Sequence, residues 1–167
     1  MNDATTTLLF DVVARLERAI QARACPAMVL LDGSRRLVMS DYDYLRGEAE
    51  AVAFERRAAV KAREIDAVRW VLAVPQVWTI KRDAVFSRPV SNVPLEPGEE
   101  EAITWASYDC ADGVDYGRVL FTRRPNGEPV FAEPEMFVVG IKPADHTTPG
   151  FTLIHALLDD DSKNDGR

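Results

Sequence analysis

The chain has 167 residues, 47% hydrophobic and 28% charged, enough for one domain with a sizeable core and against wholesale disorder. Its formal net charge of -7 disfavours duplex DNA and anionic membrane surfaces as partners, because both are polyanions. Two cysteines are too few for a disulfide framework, the start lacks the basic and apolar blocks of a leader, and no apolar run reaches the ~20 residues of a membrane span. These features point to a cytoplasmic protein.

Thr5 to Arg23 reads as a helix, with Leu9, Val12, Leu16 and Ile20 at helical spacing and Leu8, Val13 and Ala19 widening the stripe. Asp3 or a threonine caps it, and Pro26 stops it. Ala27–Leu31 and Leu37–Met39 form a hairpin around Asp32-Gly33-Ser34. A second helix starts near Ser40 or Asp43 and shows two small-residue faces. Leu45, Ala49, Val52 and Val60 make one face; Ala51, Phe54, Ala58, Ala62 and Ile65 make the other. Two apolar faces imply a helix held between the sheet and another layer, either the first helix or a second subunit.

Arg56 and Arg63 fall on the first of those faces. Either their stems lie along apolar surface with the heads in water, or they bind a carboxylate or phosphate. Glu50, Glu55 and Glu64 are interleaved with the local basic cluster, as in a solvated, ion-paired helix.

Ala67–Val74 reads as a central strand covered on both faces, and Pro75 is expected to break or bulge it. Gln76-Val77-Trp78-Thr79 continues it, with Arg88-Pro89 and Glu99-Glu100-Glu101 further on. With the Ala- and Arg-rich helix before it, this order resembles a set of uncharacterised small bacterial and phage α+β proteins. Those carry an acidic residue where Gln76 stands; this departure weakens the idea of a carboxylate-based site there, and the resemblance brings no known activity.

Ser87–Glu100 is a loop by composition, either a lid or a linker. Ala102–Tyr108 and Tyr116–Arg123 form an antiparallel hairpin; Pro129–Phe131 and Met136–Ile141 are extended, and Phe151–Leu158 is a strand or short helix. The domain is expected over 1–158, with 159–167 a disordered acidic tail.

Chemistry is hard to assemble from these residues. His146 sits in a Pro- and Thr-rich loop and His155 in an apolar run, neither beside a nucleophile. Zinc-ligand spacings, a deaminase Cys pair and a glycine-rich phosphate loop are missing from the sequence. Asp109, Asp112 and Asp115 read as solvated turn acids, and Trp70, Trp78 and Trp105 as core. The expectation is an α+β fold: two helices packed on a mainly antiparallel twisted sheet of about five or six strands. No catalytic residue, metal site or cofactor is assigned. The leading functional expectation is a small non-enzymatic interaction or accessory protein that self-associates as a homo-oligomer. The alternative is an enzyme or a binder of a small anionic ligand, its site assembled from dispersed Arg56, Arg63 and Asp109.

Overall fold

The computed structural model describes residues 1–81, 84–90, 93–137 and 148–164. His146, most of the expected Met136–Ile141 strand and residues 165–167 lie outside them.

Helix α1 (Asp3–Gln21) buries Leu8, Leu9, Val12, Val13, Leu16 and Ile20, the stripe its spacing predicts. Its cap is Asn2, not Asp3 or a threonine: Asn2 Oδ1 accepts from Thr5 N–H at 3.0 Å. It ends before Pro26 in a Schellman motif, Ala24 N–H donating to Ala19 C=O at 2.8 Å and Arg23 N–H to Ile20 C=O at 2.9 Å. Arg23 takes the left-handed position, φ 62°, where glycine is usual.

Strands β1 (Ala27–Asp32) and β2 (Arg36–Asp41) make the expected hairpin, from Ala27 opposite Asp41 to Asp32 opposite Arg36. Because β2 runs through Asp41, helix α2 (Glu48–Glu64) begins later than expected, after a 3₁₀ turn at Tyr44–Arg46.

Strand β3 (Arg69–Lys81) runs through Pro75 without the expected break. The register gives the reason. On one side, the last β1 partner is Ala73; the next partner, Gln76, belongs to β4 (Ala84–Pro89). Val74 and Pro75 fall at the seam between those two strands, where a missing N–H costs the ladder least. On the other side β5 (Glu99–Asp109) pairs with β3 from Arg69 to Thr79.

Strands β6 (Gly113–Arg123), β7 (Pro129–Phe131) and β8 (Glu135–Met136) follow, then helix α3 (Phe151–Asn164). The eight-stranded sheet has the order β2-β1-β3-β5-β6-β7, with β4 on β3 and β8 on β6. Every described pairing is antiparallel. The α+β class is as expected, but the described residues form three α-helices rather than two and eight strands rather than about five or six. Phe151–Leu158 is helical, and that helix runs on to Asn164, into the segment whose acidic composition suggests disorder.

Side-chain alternation divides the core in two. Val71 and Ala73 of β3 join Ile103 and Trp105 of β5 under α1. Trp70, Leu72 and Val74 join Phe54, Ala58 and Ala62 of α2 and Leu153 of α3 on the opposite face. The sheet thus lies between α1 and the α2–α3 pair, and β3 is buried on both faces. Each fully buried leucine or isoleucine contributes about 1.5–3 kcal/mol. Contrary to the two-faced expectation, α2 buries one face: Ala49 is exposed and Val60 is 50% exposed.

Candidate interaction surface

The structure does not bring Arg56, Arg63 and Asp109 together. Arg56 and Arg63 are exposed on α2. Arg63 reaches α3, donating through Nη2 to the Ala156 carbonyl, so its head ties two helices. Asp109 lies on the α1 face of the sheet and is buried, not a solvated turn acid. Its Oδ2 accepts from Thr5 Oγ1 at 2.8 Å and Arg69 Nε at 2.9 Å, and its Oδ1 from Ala111 N–H at 2.9 Å. Arg69 also donates to Asp32 at 2.7 Å. Burial would raise the Asp109 carboxyl, but the donors from Ala111, Arg69, Asn2 and Thr5 outweigh it and hold it well below the ordinary range. The result is a clasp that fixes the start of α1 to the sheet.

Glu55 is a second buried carboxylate, unexpected because it lies in a charged run. Its Oε1 accepts from Tyr44 Oη at 2.7 Å and Gly150 N–H at 3.0 Å, and its Oε2 from Leu153 N–H at 2.9 Å. Gly150 C=O accepts the first bond of α3, from Ile154 N–H at 3.0 Å. Glu55 therefore satisfies the N-cap and third-residue amides of α3 from another helix, as a capping box does from within one. Burial pushes the Glu55 carboxyl up against the pull of these donors. Burial, and then Glu55 itself, raises the Tyr44 hydroxyl well above its ordinary value.

The sheet is least covered at the β3–β4 arm. There Gln76–Lys81 pairs with Ala84–Pro89, and the tip passes the last β5 partner, Glu99 opposite Thr79. Side chains brace its base. Trp78 Nε1 donates to Thr104 Oγ1 at 2.7 Å, which donates to Gln76 Oε1 at 2.7 Å. By contrast, the indole nitrogens of Trp70 and Trp105 are buried without a partner among the described residues. Arg118 lies 5.3 Å over the Trp78 ring and pairs with Glu135. On the opposite face, Arg88 grips Glu99 through two bonds, 2.9 and 2.7 Å, and Glu99 also accepts from Glu96 N–H at 2.9 Å. Arg88, then the Glu96 amide, holds the Glu99 carboxyl down at about 2. This pair staples β4 across β3 to β5 and fixes the start of the following strand.

Beyond that base the arm is apolar and open. Ile80, Phe86, Val93 and Leu95 are 55%, 59%, 64% and 46% exposed. Val93, Pro94 and Leu95 border a cleft of about 440 Å³ with Val77, Leu120 and Phe121. A cleft of about 270 Å³ separates the start of α2 from Gln76, Ser87 and Pro89. A depression of about 830 Å³ lies at the end of α1 beside Arg23, Cys25 and Arg123. There Arg123 is already held by Glu101 at 2.8 and 3.0 Å. Burial raises the Cys25 thiol, which lowers its thiolate fraction.

Comparisons with protein-family models, curated proteins and solved structures returned no match.

The functional reading therefore rests on the molecule's own geometry. Among the described residues no group of three or more His, Cys, Asp or Glu is arranged to hold a metal ion. Among the same residues no helix is long and apolar enough to cross a membrane. Cys25 and Cys110 are both free thiols. His155 is exposed on α3, its ring 4.2 Å from that of Phe151. Of the Ser87–Glu100 stretch expected as a loop, Ser87–Pro89 belongs to β4 and Glu99–Glu100 to β5, and no period-two alternation marks β4 in the sequence.

Proposed function

We propose that this is a non-enzymatic interaction protein that binds a protein partner through the β3–β4 arm and the 93–95 segment. The observation that carries this reading is the concentration of exposed Ile80, Phe86, Val93 and Leu95 on one projecting hairpin and its following loop. Phe86 lies on the face of Thr79 and Ile80 on the other, so the hairpin presents apolar side chains on both faces, and exposed large apolar side chains gathered in one place and rimmed by charge are a usual signature of a contact site. Glu99, Glu100 and Lys81 supply that rim. The ionic side chains near the clefts support the same reading, since Arg88 with Glu99, Arg123 with Glu101 and Glu55 with Tyr44 satisfy one another.

A photo-crosslinking residue at Phe86 is expected to give one discrete adduct in cells, abolished by Ile80→Asp, while the same probe at Val60 gives none. Equal labelling from Phe86 and Val60, or an adduct indifferent to Ile80→Asp, overturns the assignment. The isolated Ile80→Asp protein should melt within about 0.5 kcal/mol of the parent, because that side chain is already in solvent.

A further inference from the structure

Among the described residues four strands leave an edge open: β2, β4, β7 and β8. β7 has three residues and begins at Pro129, β8 has two, and β4 ends in Pro89. β2 is six residues long, free of proline, and paired without interruption to β1. No described strand pairs with its outer side. An edge of this kind is a template for another strand, and proteins that keep it monomeric usually blunt it with proline, a bulge or an inward charge.

We infer that β2 pairs antiparallel with β2 of a second copy, joining two sheets into one across a two-fold axis. The axis runs perpendicular to the sheet, so facing residues must share a face. In the register centred on Val38, that residue meets the partner's Val38. Leu37 meets the partner's Met39 and Arg36 the partner's Ser40. Leu37 and Met39 are half-buried against the core under α2, so their rows continue that apolar layer into the second copy. Val38 is 38% exposed on the α1 face. Arg35 lies in the turn before β2 and Asp41 already pairs with Arg57 of its own chain, so this register rests on its apolar rows and not on an ion pair. The neighbouring register, centred on Met39, sets Leu37 against the partner's Asp41 and matches poorly.

This seam is separate from the arm, so the two assignments can fail independently. One short strand per copy is a small interface, which sets the expected dissociation constant in the micromolar range. Sedimentation equilibrium up to about 200 µM, well above that range, should show a monomer–dimer equilibrium. Val38→Asp, which sets two carboxylates face to face, should weaken it at least about tenfold, with the melting of the dilute monomer unchanged. Phe86→Asp should leave it intact. Val38→Cys, in a Cys25→Ser and Cys110→Ser background, should give a covalent dimer on mild oxidation. Directly opposed antiparallel residues lie about 4.5–5.5 Å apart, within disulfide reach. A monomer at the highest concentration, a dimer indifferent to Val38→Asp, or one abolished by Phe86→Asp overturns the inference, as does failure of Val38→Cys to cross-link.

Discussion

Helices α1 and α3 begin in opposite ways. The first amides of α1 are capped by Asn2, three residues upstream, and Thr5 adds a bond to Asp109. The first amides of α3 are satisfied by Glu55, a separation of 95 residues from Gly150. A local cap lets a helix begin from its own sequence, whereas a distant one makes α3 depend on α2 and the sheet being in place. The two carboxylates also differ electrostatically. Asp109 is held low by its donors, while Glu55 is raised by burial.

Removing the distant cap should break the comparison most severely. Glu55→Ala leaves Gly150 N–H, Leu153 N–H and Tyr44 Oη without their acceptor, at about 3–5 kcal/mol. Urea unfolding should show that loss, and hydrogen exchange should show α3 amides unprotected while α1 keeps its protection. If α3 stays protected, its stability comes from packing alone.

Asp109→Asn should cost about 2 kcal/mol at neutral pH, since it removes a charged acceptor from Thr5 and Arg69. The pH dependence of the two carboxylates should have opposite signs. Because Asp109 is depressed when folded, its contribution is complete above the ordinary 3.8 and is lost as pH falls below it. The gap between the parent and Asp109→Asn should therefore shrink in that range. Because Glu55 is raised when folded, the native state takes up a proton before the unfolded chain does, and stability rises as pH falls towards 4.5. The parent should thus gain on Glu55→Gln over that interval. Denaturant melts from pH 7 to pH 3 check both slopes; slopes of the same sign defeat the electrostatic account.

The smallest effect belongs to the local cap. Asn2→Ala should cost about 1 kcal/mol, readable as a lowered urea midpoint with unchanged slope.

What could be read from the sequence follows the same division. The α1 stripe, the β1–β2 hairpin and the β5–β6 hairpin depend on periodicity and turn residues a few positions apart, and all three formed as expected. The α3 helix was ambiguous because its cap is supplied by Glu55, which in sequence looks like one more member of an ion-paired surface. Asp109 read as a turn acid because Thr5 and Arg69 are distant along the chain. Pro75 reads as a break or bulge because a gap between two neighbouring strands cannot be seen from the strand that spans it. The exposure of the arm is hidden for a related reason, since Ile80 and Phe86 read like any other apolar residues and only the fold shows them 55% and 59% exposed.

The seam at Val74 and Pro75 bears on how such a protein can change. Strands β1 and β4 share β3 as a common neighbour yet are not continuous with each other. The part of the arm beyond Thr79, which β5 does not pair, can therefore be exchanged or extended without shifting the β1–β2 register. Additions in multiples of two on each side keep inward and outward positions in phase. The body and the arm are thus free to diversify at different rates, the one constrained by its core and the other by whatever it touches.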